Sequence, residues 1–177
     1  MKLQSNTHYN NLQNLITINK RFVFFLIAVL FLWLLFGFKP PISGGTSIAV
    51  IISSDNPIAF EDNPALSISE VKSYFLRKTR RRWIQTNNLI LPVDRKKICP
   101  EQELFYLKVL NMNKWEVENY FIQKQYQNGD NPPEKFFTDK EIIDFVGDEI
   151  GAIGYVNINS LTTEAKTKVK VVLLINN

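Results

Sequence analysis

The sequence predicts an α/β domain carried behind one apolar segment long enough to be a transmembrane helix. Three observations predict this. Ser47–Ser53 (SIAVIIS) and Val169–Ile175 (VKVVLLI) are nearly continuous apolar runs, the mark of strands covered on both faces. Between them lie stretches of helical spacing, two of which open on a capping-box pattern, Ser67-Ile-Ser-Glu70 and Thr138-Asp-Lys-Glu141. Phe22–Phe38 (FVFFLIAVLFLWLLFGF) is seventeen residues without a charge.

That apolar run comes first in the chain. As a helix it would rise about 25 Å, slightly less than a hydrocarbon core of about 30 Å. Lys2, Lys20 and Arg21 precede it and Lys39 follows, a bias that holds the N-terminus in the cytoplasm and sends the C-terminal domain outward. The sequence Gly37-Phe38-Lys39-Pro40-Pro41 offers no small-residue cleavage site, so an uncleaved signal-anchor is expected; secretion after cleavage is the alternative. The expected organisation is a polar cytoplasmic tail over 1–21, the transmembrane helix over 22–38, a linker over 39–46 and the α/β domain over 47–177. The expected location is a bacterial inner membrane, with the domain in the periplasm.

Charge and composition narrow the function. The chain carries a formal +4, but all four excess charges sit at Lys2, Lys20, Arg21 and Lys39; from Gly44 onward 17 basic residues balance 17 acidic ones. The sequence pI of 9.1 therefore reports topology and gives no reason to expect nucleic acid. Cys99 is the single cysteine, so no internal disulfide forms. His8 is the single histidine and lies in the tail, which excludes Ser-His-Asp and Cys-His nucleophile systems and most zinc sites from the domain. No carboxylate dyad or metal cage is spaced along it. The expectation is a non-enzyme with no cofactor and no metal.

Along the domain, Asp55-Asn56-Pro57 turns the first strand. Ser67 starts a helix whose apolar stripe is Val71, Phe75 and Leu76. Lys78–Arg82 (KTRRR) interrupts, and Leu89–Val93 forms a short second strand. Pro100 begins a helix with Glu101 and Glu103 in its first turn and Leu104, Phe105, Leu107 and Leu110 inward. A further helix after Asn113 carries Trp115, Tyr120 and Phe121. Gly129–Pro133 is a loop. After the second capping box, Ile142, Ile143, Phe145 and Val146 line a helix, the chain turns over Gly147–Gly151, and a strand runs through Tyr155 and Val156. The final apolar strand is expected inside the sheet.

Five segments in this order resemble small single-lobe relatives of phosphate ABC-transporter substrate-binding proteins, in the type 2 periplasmic-binding-protein-like superfamily. They are AVIISSDNP (49–57), LSISEVKSYFLRKTRRRW (66–83), LPVD (91–94), LFYLKVLNMN (104–113) and FVGDEIGAIGYV (145–156). The resemblance implies one periplasmic-binding-protein-like lobe, a mixed sheet flanked by helices, binding phosphate or another oxyanion without turnover as an accessory to a transport or envelope system. The family's phosphate segment resembles R-x-D-G-S-G-T before a helix; the matching stretch is VDRKKICPEQELFY (93–106), with Arg95 in the arginine's place. The Gly-Ser-Gly-Thr portion is absent, Pro100 lacks an N–H, and Glu101 and Glu103 oppose an anion there. A domain of this fold with no small ligand, docking on an envelope protein or lipid, is the alternative.

The candidate ligand residues are accordingly Arg95, Lys96 and Lys97. Arg77, Lys78, Arg80, Arg81 and Arg82 form a second basic cluster, an interaction patch or a solvated loop. Residues 77–97 hold eight basic residues against Asp94, whereas 101–149 hold eleven acids against five bases. Removing Arg95, or neutralising Lys96 and Lys97, is expected to lower anion affinity and leave thermal stability unchanged. Trp83, Trp115, Tyr120 and Tyr155 are expected in the core. Gly151 and Gly154 are expected at a tight turn with close strand packing. Cys99 reads as a partly buried small residue or as a thiol at a helix start.

Overall fold

A computed structural model describes residues 45–61, 64–78, 82–83 and 87–177. The apolar run over 22–38, the tail, and Arg80 and Arg81 lie outside the described residues. Among the described residues no helix is long and apolar enough to cross a membrane. Residues 44–177 form a compact unit.

The domain is three layers, helices on both faces of a five-stranded mixed sheet ordered β3-β2-β4-β1-β5. The strands are β1 (Ser47–Ser53), β2 (Leu91–Arg95), β3 (Glu134–Phe136), β4 (Ala152–Asn157) and β5 (Val169–Asn176). β2 runs parallel to β3 and to β4, while β1 runs antiparallel to both β4 and β5. On one face pack α1 (Ile68–Phe75), α2 (Pro100–Phe105), the π-helical turn Tyr106–Leu110 that continues it, and α3 (Lys114–Asn128). On the other face pack α4 (Asp139–Asp148) and the short α5 (Ala165–Lys168).

Side-chain alternation explains the two cores. Ile48, Val50 and Ile52 of β1 join Ile153 and Tyr155 of β4 on the α1–α3 face, while Ala49 and Ile51 join Ala152 and Val156 on the α4 face. β1 is buried on both sides, as its unbroken apolar run requires. The three longest regular starts are capping boxes: Ser67 with Glu70, Asn113 with Glu116, and Thr138 with Glu141.

Four features differ from the sequence reading. β5 is an edge strand, not an inner one. Its register shifts opposite Val50 and Ile51, leaving Val172 as a bulge residue, so Val169 and Val171 point to the α4 face while Leu173 and Ile175 point to the other. A switch of face therefore produces the apolar run Val171–Ile175. The Val172 carbonyl accepts the Leu66 N–H at 2.9 Å, which covers part of this edge. Leu107 is exposed, because the π turn moves Tyr106 and Val109 into the inward positions. β2 begins at Leu91 and continues through Asp94 and Arg95, two charged residues paired in register with β3. β3 itself is a three-residue edge strand (EKF) with no apolar run to announce it.

Candidate functional site

β2 lies between β3 and β4. The chain leaves it to one side to make β3, then crosses back through α4 to make β4 on the other. Connections thus diverge at the carboxyl end of β2, the position where open α/β sheets form a crevice. Arg95 stands there, followed by Lys96 and Lys97, with Phe137 after β3 and Asn157 closing β4.

Consecutive residues of β2 face opposite layers, so the Asp94 and Arg95 side chains take different hydrogen-bond and charge partners, although the Arg95 guanidinium also lies 6.0 Å from the Tyr155 ring centroid. The Asp94 carboxylate is buried on the α1–α3 face. It accepts the Tyr155 hydroxyl at 2.5 Å, the Tyr106 hydroxyl at 2.5 Å, the Gln102 amide at 3.2 Å and the Arg95 backbone N–H at 2.7 Å. The Gln102 amide also donates to the Arg95 carbonyl at 2.9 Å. Phe105 stacks on Tyr155, ring centroids 4.1 Å apart, and seals the network from above. An apolar groove of about 260 Å³ between α3 and Pro132-Pro133 reaches Asp94 and Tyr106 from outside.

Arg95, 6% exposed, turns to the α4 face and pairs with Asp139, the first residue of α4. Asp139 also accepts the Ser160 hydroxyl at 2.5 Å and the Asn157 N–H at 3.3 Å, so β2, α4 and the end of β4 meet on one carboxylate. Arg95 Nε has no hydrogen-bond partner among the described residues. Beside Asp139 a groove of about 320 Å³ runs between α4 and the segment to Lys168, with Ile143 and Ala165 among its walls. Glu101 accepts the Asn157 side-chain amide at 2.8 Å. Lys96 and Lys97 are exposed, their ammonium groups 4.6 and 5.6 Å from the Phe137 ring centroid.

The fold brings Arg95, Lys96 and Lys97 together and places Arg82 elsewhere. Arg82 bridges Leu89, and the adjacent Trp83 donates its indole N–H to Gly151 at 3.0 Å; the Leu91 N–H donates to the same carbonyl at 2.9 Å. Arg82 thus belongs to the amino end of β2, opposite the crevice. Arg77 is half-buried, attracted by Asp130, and Lys78 is exposed. Trp83 and Tyr155 are core residues, and half-buried Tyr120 donates to the Leu76 carbonyl at 2.7 Å. Trp115, expected inside, is 71% exposed, because α3 turns Val117 and Phe121 inward. Gly151 lies in the turn just before β4, as expected, where a Cβ would stand 2.3 Å from the Leu89 carbonyl oxygen, whereas Gly154 lies in the middle of β4 rather than in a turn. Cys99 is half-buried; burial, and with it a hydrogen bond to Glu101, pushes its thiol up.

Asp139, Gln102, Tyr106 and Ser160 were not legible as site residues. Asp139 registers in the sequence only as a member of a capping box, and Gln102 and Tyr106 as ordinary helix positions. Among the described residues no group of three or more His, Cys, Asp or Glu is placed to hold a metal ion.

Burial, and after it the charge of Asp94, pushes the Tyr106 and Tyr155 hydroxyls well above their ordinary 10.0. The unfolded chain releases these protons near pH 10, while the folded domain retains them. Their contribution to stability is complete below that pH and is lost progressively as pH rises from there toward the folded-state values. Denaturant midpoints should therefore fall above about pH 10, and Tyr155→Phe should flatten the fall. Equal slopes in the two proteins would remove Tyr155 from this role.

The geometry defines a single α/β lobe with its crevice at the carboxyl end of the parallel strands. Two solved structures are similar to it in fold. One is a phosphate ABC-transporter substrate-binding protein with bound phosphate from Clostridium perfringens, 16% identical, TM-score 0.51, over 72% of this chain and 44% of that one. Another is an ABC-type phosphate transport receptor from Vibrio cholerae, 16% identical, TM-score 0.53, over 72% of this chain and 46% of that one. The chain spans less than half the length of either. No protein-family model matches it, and no curated protein matches it.

Proposed function

We propose that the domain is a non-enzymatic, membrane-tethered lobe that binds an oxyanion, with inorganic phosphate the first to test. The observation that carries this reading is the position of Arg95, Lys96 and Lys97: three consecutive bases at the carboxyl end of β2, where the connections of the sheet diverge in a fold similar to that of substrate-binding proteins. Lys96 and Lys97 are open to solvent, and Arg95 Nε is a buried donor without an acceptor among the described residues. The likeness in fold to phosphate-binding structures supports phosphate as the ligand class, and the run over 22–38 supports tethering in the inner membrane with the domain in the periplasm.

A second reading has its own support. Asp139 already neutralises Arg95, and Glu101 and Glu103 stand at the start of α2, an arrangement that disfavours a free dianion. On this reading the lobe holds no small ligand and docks through its basic face on an envelope protein or a lipid surface.

Thermal midpoints with and without phosphate, sulfate and other oxyanions separate the two. A ligand at about 100 times its dissociation constant adds roughly 2.7 kcal/mol, a shift of several degrees. A shift with phosphate that is lost in Lys96→Gln/Lys97→Gln, whose own midpoint is unchanged, supports the first reading. No shift at millimolar oxyanion removes it. Arg95→Ala should lower the midpoint as well as any affinity, because it strands Asp139.

A further inference from the structure

We infer that the carboxyl edge of the sheet docks on an anionic lipid surface, so that the oxyanions met by Lys96 and Lys97 are the phosphates of lipid headgroups. This deepens the reading above and rests on its membrane-tethered part.

The direction of β1 supplies the first argument. Because β1 is antiparallel to its neighbours, it begins where they end: Ser47 lies opposite Asn176 of β5, and Ile48 opposite Asn157 of β4. The chain preceding Ser47 therefore joins the domain at the carboxyl edge, the same edge that holds the crevice. The apolar run ends at Phe38, leaving residues 39–46 as the tether. Fully extended, these eight residues reach roughly 28 Å, so an anchor in the bilayer keeps this edge near it.

The composition of the edge supplies the second. The loops leaving the parallel strands present Lys96, Lys97 and Ile98 after β2, Phe137 after β3 and Ile158 after β4. Ile98 is 56% exposed and Phe137 is 50% exposed, with both lysine ammonium groups over the Phe137 ring. Bases beside exposed apolar and aromatic side chains match an interface where rings settle among headgroups and ammonium groups meet phosphate. Most carboxylates nearby are already engaged: Asp139 by Arg95 and Ser160, Glu101 by Asn157, and the exposed Glu141 by the Phe137 and Thr138 N–H groups, while the exposed Glu103 stands beside Ile98. Apolar exposure alone does not choose this edge, since Phe60, beyond the far end of β1, is 75% exposed. The tether chooses it, and the charge arrangement agrees.

The test uses the full chain reconstituted in vesicles of phosphatidylcholine, with or without phosphatidylglycerol, in a Cys99→Ser background. An environment-sensitive fluorophore is placed on Ile98→Cys or, for comparison, on Phe60→Cys, and spin-labelled lipid is the quencher. The expected result is quenching at position 98 that requires phosphatidylglycerol, weakens about fivefold for each of Lys96→Gln and Lys97→Gln, and is absent at position 60. Equal quenching at the two positions, or none at position 98 in a chain that resists alkaline extraction, overturns the inference. Alkaline extraction separately tests the anchor. If the chain is released, flotation of the released chain with phosphatidylglycerol vesicles still decides the docking face, and failure to float overturns it. Loss of quenching with millimolar inorganic phosphate, but not with chloride at equal ionic strength, would make free phosphate the ligand and also overturn the lipid assignment.

Discussion

Gly154→Val is expected to destabilise the domain by about 3 kcal/mol, enough to lower its thermal midpoint by roughly 10 °C. The cause is contact on the α4 face. A Cβ at Gly154 would stand 2.8 Å from Ile142 Cγ2, 2.8 Å from Val93 Cγ2 and 3.1 Å from Val146 Cγ2. All three neighbours are fully buried, two on α4 and one on β2, so none can move without shifting an element. Backbone freedom is not involved, since Gly154 is not among the positive-φ residues. The effect should therefore be graded: Gly154→Ala costs less than Gly154→Val, and less again in an Ile142→Ala background, which removes the Cγ2 that the new Cβ meets. Calorimetric midpoints of these variants check this. A valine variant as stable as the parent would mean that α4 does not pack on β4 at this distance.

Asp94→Asn is expected to cost about 3 kcal/mol, again without touching the exposed lysines. Its carboxylate serves four donors, two of them hydroxyls of buried tyrosines. An amide of the same shape turns an NH₂ group toward one or more of those donors and leaves them unsatisfied, at about 1–3 kcal/mol each. A double-mutant cycle with Tyr155→Phe isolates the pair. In the Asp94→Asn background the tyrosine hydroxyl has lost its acceptor, so removing it should cost little. Additive costs would show that Tyr155 does not depend on Asp94. Denaturant unfolding of the four proteins supplies the measurement.

Both predictions rest on residues whose importance was hidden in different ways. Gly154 stood out as a glycine beside a tyrosine and a valine, but a turn is the ordinary reading of Gly-Ala-Ile-Gly. Its true constraint is the distance to a helix that starts fifteen residues earlier in the chain. Asp94 reads as the polar stop of the strand Leu89–Val93. It is instead a buried strand residue, because Gln102, Tyr106 and Tyr155 arrive from eight to sixty-one residues away to satisfy it. Arg95 was legible as the arginine of a phosphate-like segment. Its partner Asp139 was not, so the stability cost of removing it could not be foreseen.

The sequence by itself determined the elements governed by local physics. The helix starts at Ser67, Asn113 and Thr138 follow from reciprocal bonds among residues three apart, and Pro100 opens its helix because it gives up only an N–H that has no partner there. The burial of β1 follows from seven residues with no polar side to offer solvent except at its ends. Tertiary structure alone decided whatever depends on which strand lies beside which. The placement of β5 at an edge, the short β3, the separation of Arg82 from Arg95 by the length of β2, and the sharing of an edge by the start of β1 and the carboxyl ends of β2 and β4 are consequences of strand order and direction. Hydrophobic periodicity specifies which face of a strand is buried, whereas its neighbour is chosen by packing between segments far apart in the chain.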